Sequence, residues 1–372
     1  MTEDFVSRLR LQIREAAERE ERRHGLTGRI AAARPLPPRL ASDRVVSALI
    51  VVLILVAAVY ALATLRPEPA APPPWKVITR LAPGGSLGAI AGGFGSAWVD
   101  DTTRGQLLRI DPRSHAITAR IAVRGSAAVS VGAGAVWVVE SSSSAYELTG
   151  PLLRIDPRTN HVVARIALRT PNGQPFRAWN VLPGHGVIWI LGPDGVMRLD
   201  PRTNRITKAI ALGAGYEIPD AALTGGDLWL VRADRRLLRV DAATGRQKHS
   251  LRAPVTGALQ TGELRAVDNT LIVATDDEGA DEIAGVDPTS GHTLWRRLLR
   301  TAGPSAAADG VLWVPTTEAH HTGVTLVGID PHTGAIRARV LVDREFAAAA
   351  VGQVGPQLWL TTAAGHAIVI GH

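Results

Sequence analysis

Two neighbouring histidines and a glutamate form one group in this sequence that could carry out chemistry. Glu318, His320 and His321 lie within one short segment. Imidazole and carboxylate groups bind metal ions and move protons, so the three residues are candidate ligands for a divalent ion. Adjacent side chains on an extended loop diverge, however, and the sequence fixes no further ligand. A solvated polar loop is the alternative interpretation.

A cluster of acidic residues is the second candidate metal site. Asp276, Asp277 and Glu278 precede Gly279, and two more acidic residues follow it. Oxygen-rich loops bind Ca²⁺, but the spacing here does not match that of an EF-hand loop. A charged, solvated loop therefore remains the alternative. Apart from Mg²⁺ or Ca²⁺ at one of these two places, the sequence predicts no cofactor.

Aromatic and charged residues also suggest a surface for binding. Arginine and aromatic side chains are enriched in the residues that dominate binding energy at interfaces. The candidate ligand-binding residues are Glu140, Arg177, Trp179, Tyr216, Glu217, His320 and His321. Packing of the aromatic rings beneath a loop is the alternative interpretation.

Composition excludes several classes of function. The chain has no cysteine, which excludes disulfides, thiolate metal sites and a cysteine nucleophile. The formal net charge is +7, but from Pro67 onward thirty basic residues stand against twenty-seven acidic ones. Because the large C-terminal part is nearly balanced in charge, we predict no nucleic-acid partner.

An uncharged apolar segment near the N-terminus predicts a membrane anchor. Residues 45–65 read VVSALIVVLILVAAVYALATL, which is long enough to cross roughly 30 Å of hydrocarbon as a helix. Arginines are frequent before the segment and scarce after it, so the N-terminus is predicted to be cytoplasmic and the C-terminal part extracytoplasmic. Cleavage after Ala63, as in a signal peptide, stays open as the alternative.

Two short segments flank the predicted anchor. Residues 1–44 are basic and contain an amphipathic helical pattern, with Phe5, Leu9 and Ile13 on one face. This segment is predicted to be a cytoplasmic helix, either solvated or docked on a cytoplasmic partner. Residues 66–74 contain five prolines and are predicted to be a stiff spacer.

An internal repeat organises the rest of the chain. LLRIDPRSHAITARIAV, LLRIDPRTNHVVARIAL and VMRLDPRTNRITKAIAL begin at Leu107, Leu152 and Val196, and weaker copies follow. The repeats therefore recur about every 40–45 residues, which is the length of one four-stranded propeller blade. Within each unit, the Asp-Pro pair and a following Asn or Gly predict a hairpin turn. The aspartates of these turns are Asp111, Asp156, Asp200, Asp241, Asp287 and Asp330.

A tryptophan recurs at one place in nearly every unit. These residues are Trp98, Trp137, Trp189, Trp229, Trp313 and Trp359. Ile272 takes the corresponding place in the fifth unit. Recurrence of one large apolar residue in successive units predicts packing between blades rather than binding of a cofactor.

The ends of the repeat region predict how the ring closes. The last unit supplies only three strands, whereas a lone strand beginning at Trp75 resembles the fourth strand of a blade. Pairing them completes a seventh blade and removes the exposed edges of an open sheet. We therefore predict an all-β, seven-bladed β-propeller over residues 75–372, closed by three strands from one end and one from the other.

The repeat resembles those of YVTN-type and streptogramin-lyase-like bacterial propellers. The resemblance rests on the tryptophan strand followed by L-x-R-I-D-P-x-T-x-x-I and covers residues 75–372. Streptogramin lyases act through a His and Glu constellation with a magnesium ion at the mouth of the central channel. Their repeats carry W-F-T-E after the second strand, whereas the corresponding position here varies, with Asp100, Glu140, Gly192 and Arg232. No lyase residue can be carried over to this chain.

Loop lengths predict two unlike faces. The turns after the first and third strands of each blade are uniformly short, whereas the other connections vary in length. Function on a scaffold concentrates in such variable loops. We therefore predict a non-catalytic binding or sensing platform for an extracytoplasmic protein, peptide or cell-envelope ligand. The alternative is a metal-assisted lyase or hydrolase centred on Glu318, His320 and His321 with Glu140.

Overall fold

Tight turns divide the chain into antiparallel strands. The computed structural model describes residues 74–140, 150–193, 195–211, 220–257, 259, 262–275, 281–317, 323–343 and 348–372. These residues belong to a compact unit that covers residues 72–372. In the described ranges, no helix is long and apolar enough to cross a membrane. The predicted cytoplasmic helix and the apolar segment 45–65 lie outside the described residues.

The described strands form seven four-stranded antiparallel sheets, which are the blades of a β-propeller. The strands are given below in chain order, and blade 7 contains strands from both ends. A lone strand comes first, β1 (Lys76–Leu81). Blade 1 contains β2 (Leu87–Gly93), β3 (Ser96–Asp101), β4 (Gln106–Ile110) and β5 (Ile117–Ala122). Blade 2 contains β6 (Ser126–Gly132), β7 (Ala135–Glu140), β8 (Leu152–Asp156) and β9 (His161–Ile166). Blade 3 contains β10 (Asn180–Gly184), β11 (Val187–Gly192), β12 (Gly195–Asp200) and β13 (Arg205–Ala211). Blade 4 contains β14 (Asp220–Thr224), β15 (Asp227–Val231), β16 (Arg236–Asp241) and β17 (Gln247–Arg252). Blade 5 contains β18 (Glu263–Val267), β19 (Thr270–Ala274), β20 (Asp281–Val286) and β21 (Thr293–Leu299). Blade 6 contains β22 (Ala306–Ala308), β23 (Val311–Thr316), β24 (Val324–Ile329) and β25 (Ile336–Asp343). Blade 7 contains β26 (Ala348–Val354), β27 (Gln357–Thr362), β28 (Ala367–Gly371) and β1.

Ring closure follows the predicted arrangement. In blade 7, β1 pairs antiparallel with β28, so that Val77 lies opposite Ile370 and Arg80 lies opposite Ile368. The seventh blade is thus built from three C-terminal strands and one N-terminal strand. The ring of Trp75 lies 4.4 Å from that of His372, measured between centroids. The first and last residues of the ring therefore meet at the same end of blade 7.

Two kinds of tight turn lie at one end of blades 1 to 6, and blade 7 has only the first kind. The first and second strands of blade 1 are joined by Phe94 (φ 51°) and Gly95 (φ 67°), the pair of positive φ values that a type I′ hairpin requires. The Asp-Pro turns follow the predicted mechanism. Asp156 accepts a hydrogen bond from the backbone N–H of Arg158 at 2.8 Å, and Asn160 takes a positive φ of 61°. We call this end of the blades the short-turn face.

The recurring tryptophans pack between neighbouring blades, as predicted. Trp98 of blade 1 belongs to one buried cluster with Val136, Val138 and Leu153 of blade 2. Trp359 of blade 7 packs in the same way against Ala97 and other residues of blade 1, which closes the ring of interfaces. The six tryptophans are at most 1% exposed, and Ile272 is 2% exposed. The core is therefore a series of similar interfaces rather than one central mass.

An arginine in the repeat joins each early blade to the next. Arg109 of blade 1 lies over the ring of Trp98, 5.1 Å from its centroid. Its guanidinium donates hydrogen bonds to the carbonyl oxygen of Pro157 at 2.7 Å and to Oδ1 of Asn160 at 2.9 Å, both in the Asp-Pro turn of blade 2. Arg154 of blade 2 makes the equivalent bonds to the turn of blade 3. The L-x-R-I-D-P-x-T-N pattern thus encodes a contact between blades as well as a turn.

Candidate functional site

The end of the blades opposite the short-turn face carries connections of unequal length. The connection from β5 to β6 spans residues 123–125, whereas that from β9 to β10 spans residues 167–179. We call this end the variable face. The innermost strand of each blade begins at the variable face, so the first residues of these strands surround the mouth of the central channel.

Three consecutive blades begin their innermost strand with a polar side chain in the same register. Asn180, Asp220 and Glu263 lie opposite Leu191, Val231 and Ala274 of the adjacent strands. In each blade this position lies two residues before the partner of the recurring tryptophan or of Ile272. Blades 1 and 2 carry Ala89 and Ala128 at the equivalent place. At this register position, polar side chains therefore occur in blades 3 to 5 and not in blades 1 and 2.

Hydrogen bonds join these residues into a belt over four blades. We define the polar belt as Asn180, Asp220, Glu263, Arg265 and Ser305. Nδ2 of Asn180 donates to Oδ1 of Asp220 at 3.1 Å. The guanidinium of Arg265 pairs with the Asp220 carboxylate, and it also pairs with Oε1 of Glu263 at 3.2 Å. Oγ of Ser305 donates to Oε2 of Glu263 at 2.6 Å.

Asp220 also accepts a hydrogen bond from a backbone N–H at the edge of the channel. The backbone N–H of Leu264 donates to Oδ2 of Asp220 at 3.2 Å. An unpaired N–H at the inner edge of a sheet carries a desolvation cost when it is buried. The carboxylate therefore joins blade 4 to blade 5 through both a main-chain bond and an ion pair.

The charges of the belt depend on one another. Burial raises the pKa of Glu263, and the charge of Arg265 offsets only part of that effect. Burial alone would lower the pKa of Arg265, but the charges of Asp220 and Glu263 outweigh it and raise the pKa. Arg265 is therefore a permanent cation between two carboxyl groups. Such a network holds the four blades of the belt in a fixed arrangement at the channel mouth.

Removing one carboxylate from the belt is expected to destabilise the fold. In Asp220→Asn, the Arg265 guanidinium loses its ionic partner on blade 4, and Leu264 N–H loses a charged acceptor. We expect the free energy of unfolding to fall by about 1–3 kcal/mol. Chemical denaturation of the full chain in detergent micelles, followed by tryptophan fluorescence, measures this change. The matched control is Asp234→Asn, which breaks an ion pair with Arg232 in a loop on the same face. The control is expected to cost under about 1 kcal/mol, and equal losses in both variants would contradict the role of the belt.

Glu140, a predicted site residue, is engaged in holding the start and the outer edge of blade 2. The residue ends β7 at the variable face and is 3% exposed. Its Oε1 accepts the backbone N–H of Arg124 at 2.9 Å, and its Oε2 pairs with Arg165 at 2.8 Å. These contacts anchor the connection between blades 1 and 2. Both contacts indicate that the Glu140 carboxylate has a structural role.

Arg177 and Trp179 lie in the long connection from β9 to β10. Arg177 is exposed, whereas Trp179 is half-buried. The indole of Trp179 packs against Leu191, Val196 and other residues at the interface of blades 3 and 4. The structure thus leaves Arg177 available to a partner and uses Trp179 largely as support for the loop.

The remaining predicted site residues lie outside the described residues. They are Tyr216, Glu217, Asp276, Asp277, Glu278, Glu318, His320 and His321. Among the residues that are described, no group of three potential metal ligands is found. A divalent ion at either predicted loop stays a prediction.

The polar belt was not predicted from the sequence. Asp220 and Glu263 are single charged residues at the starts of strands, and neither belongs to the recurring motif. Two acidic residues at equivalent places in successive units were the available signal. That signal appears only when the units are aligned on their second strands.

Comparisons with known proteins agree with this architecture. Residues 149–297 match the family described as outer membrane protein assembly factor BamB. No curated protein matches the sequence significantly. Among solved structures, BamB from Moraxella catarrhalis is 17% identical, with 77% of this chain and 86% of that chain covered and a TM-score of 0.53.

Two further solved structures share the fold. The β-propeller domain of Cps50 (Swd1) from Myceliophteria thermophila is 11% identical over 80% of this chain and 100% of that chain, with a TM-score of 0.63. A catalytically inactive virginiamycin B lyase from Staphylococcus aureus, solved with quinupristin, is 14% identical over 80% and 99%, with a TM-score of 0.61. The resemblance to streptogramin-lyase-like propellers is thus confirmed for the fold. Identities this low carry no information on activity.

Proposed function

We propose that this protein is a membrane-anchored, extracytoplasmic binding platform whose variable face contacts a protein partner. The observation that carries the proposal is the contrast between the two faces. On the short-turn face, the turns between first and second strands each have two residues and the Asp turns have four to six, whereas the connections on the variable face include three residues at 123–125 and thirteen at 167–179. Function on repeat scaffolds is concentrated in such connections, because they can change without disturbing the blades.

The chemistry of the channel mouth supports binding rather than catalysis. The carboxylates of Asp220, Glu263 and Glu140 accept hydrogen bonds from protein donors. A catalytic carboxylate must exchange protons with a substrate, whereas these groups hold neighbouring blades together. The result is a rigid base for the loops.

The likeness to an assembly factor supports a protein as the partner. The matched family and one solved structure carry the description BamB, an outer membrane protein assembly factor.

Site-specific photocrosslinking in the native membrane tests the proposal. A photoreactive amino acid replaces Arg177 or Arg252, which are exposed on the variable face, or Arg158, which is exposed on the short-turn face. Arg158 and Arg177 flank the same strand, β9, so they form a matched pair. We expect discrete protein adducts from positions 177 and 252 and none from position 158. Equal adducts from both faces, or none from the variable face, would reject the proposal.

A further inference from the structure

Exposed arginines lie on the short-turn face of blades 1 to 4. They occupy the Asp turns or the first residue of the strand that follows, and they are Arg113, Arg158, Arg202, Arg205 and Arg246. The side chain of Arg202 is 92% exposed and comes no closer than 3.8 Å to the carboxylate of Asp200. The other four guanidinium groups form no ion pair with any residue that the structure describes. These cations are therefore available to an anionic partner.

The carboxylates of the turns do not cancel this charge. Hydrogen bonds from backbone N–H groups hold the pKa of Asp111 and Asp200 below its usual range, so these groups are ionised. An arginine two residues before each turn aspartate offsets its charge. These arginines are Arg109, Arg154, Arg198 and Arg239. In blade 4, a second carboxylate, that of Asp227, pairs with Lys248 at 2.6 Å. The exposed arginine of each turn is therefore an excess positive charge.

Blades 5 and 6 show the opposite pattern. Gly285 and Gly328 stand where the earlier blades have the arginine before the turn aspartate, and the turns themselves contain no arginine. The first hairpins of these two blades carry acidic residues, Asp268 and Asp309. Positive charge is thus concentrated on blades 1 to 4. We call the five exposed arginines of these blades the cationic arc.

The shape of the short-turn face suits a flat partner. Its turns are short, with two residues at 94–95 and six at 111–116, so no long loop separates the arginines from a planar surface. Phe94, in the first hairpin of blade 1, is 44% exposed and places an aromatic ring beside the charges. Basic side chains attract anionic headgroups, and aromatic rings favour the membrane–water interface.

A cleft of about 760 Å³ opens between blades 1 and 2 within the cationic arc. Phe94 and Val163 supply apolar walls, and Arg109, Arg154 and Arg158 supply guanidinium groups. Nη1 of Arg109 and of Arg154 is bonded to the turn of the next blade, which fixes both side chains. Nη2 of these two arginines donates to none of the described residues. Guanidinium groups held in this way are suited to bind phosphate oxygens.

We infer that the cationic arc contacts the headgroups of an anionic lipid bilayer, with a headgroup phosphate in the cleft. Charges spread over the tips of four successive blades match many headgroups at once, and the exposed ring of Phe94 suits their boundary with the acyl chains. The inference does not depend on a protein partner, because a bilayer against the short-turn face leaves the variable face open.

Fluorescence quenching of the full chain in lipid nanodiscs tests the inference. Because the chain has no cysteine, a single introduced thiol can carry the fluorophore. The sites are Ala116→Cys on the short-turn face and Gln174→Cys on the variable face, both exposed. The nanodiscs contain a lipid-borne quencher in either phosphatidylglycerol or phosphatidylcholine. We expect quenching at position 116 to be at least about threefold greater in phosphatidylglycerol and to fall in about 1 M salt. Position 174 should show little quenching in either lipid.

Matched double variants show whether the cationic arc makes this contact. Arg113→Glu with Arg158→Glu reverses two charges of the arc, and Arg124→Glu with Arg300→Glu makes the same change in net charge at exposed sites on the variable face. The first pair should lower quenching at position 116 to the phosphatidylcholine level, and the second should leave it unchanged, while circular dichroism shows folded proteins.

Three results would overturn the inference. They are equal quenching in the two lipids, equal losses in the two double variants, and equal quenching at positions 116 and 174. A short DNA duplex added to the phosphatidylcholine nanodiscs tests the other polyanion. If the duplex binds through Arg113 and Arg158 and phosphatidylglycerol has no effect, the partner of the arc is a nucleic acid and the lipid is rejected.

Discussion

A double variant with Thr79→Cys and Val369→Cys is expected to form an internal disulfide that locks the propeller ring. Thr79 of β1 lies directly opposite Val369 of β28, and directly paired residues of antiparallel strands have the spacing that a disulfide requires. The natural chain has no cysteine, so no other thiol competes. Oxidation should give a faster-migrating monomer on a non-reducing gel.

The stabilisation should be large because the crosslink joins the two ends of the whole ring. Loop-entropy arguments give about 5 kcal/mol for a loop longer than 100 residues. The shorter side chain at position 369, which is fully buried in the native protein, should cost about 1 kcal/mol of that gain. Denaturation of the oxidised and reduced forms measures the difference directly.

The matched control moves one cysteine by a single position. Arg80 follows Thr79 beyond the bulge, where the register is regular, and it lies opposite Ile368. Successive side chains of a regular strand point to opposite faces, so Arg80→Cys with Val369→Cys should not form the internal disulfide. If both pairs crosslink equally well, or if neither does, the register of blade 7 is wrong.

The fold could be predicted from the sequence because its signals recur. Most units repeat the Asp-Pro turn and the second-strand tryptophan, and the structure confirms both roles. Closure by β1 could be predicted because a lone strand and an incomplete unit can satisfy their backbone groups only by pairing. These features depend on local pattern and on the need to satisfy sheet edges.

Contacts between units were harder to predict. Arg109 belongs to the recurring motif, but its partners, Pro157 and Asn160, lie in the next unit along the chain. Alignment of repeats shows that an arginine recurs and does not show what it binds. The same limit applies to Glu140, which was a candidate for binding on residue type alone and whose partner, Arg165, lies on the outer strand of the blade.

The polar belt and the packing between blades 5 and 6 depend on departures from the repeat. Ile272 was recognised as a substitution for tryptophan, but the consequence depends on where Trp295 packs. Asp220 and Glu263 gain their meaning from being neighbours around the channel. Regular positions therefore specify the ring, and irregular positions specify what is particular to this protein.

Trp137→Ala tests how much each interface contributes to stability. Trp137 is fully buried between blades 2 and 3, where it packs with Ile188, Ile190 and Met197. Its Nε1 donates to the carbonyl oxygen of Gly132 at 2.9 Å. Removing a buried aromatic ring costs about 3–5 kcal/mol, because both the transfer free energy and the packing around the space are lost.

The ring architecture limits how far the structure can relax around that space. Each blade is held by two neighbours in a closed ring, so blades 2 and 3 cannot move together without disturbing the other interfaces. We therefore expect the loss to lie in the upper part of this range. Equilibrium unfolding of the full chain in guanidinium chloride, followed by far-ultraviolet circular dichroism, measures it.

A control from the same blade separates this effect from a general response to truncation. Val163 lies on β9 and is 55% exposed, so Val163→Ala should change the free energy of unfolding by about 0.5 kcal/mol or less. A Trp137→Ala protein within about 1 kcal/mol of the wild type would show that the recurring tryptophans do not hold the blades together. In that case, the blades would have to be held together by the backbone hydrogen bonds of the sheets and by the contacts of Arg109 and Arg154.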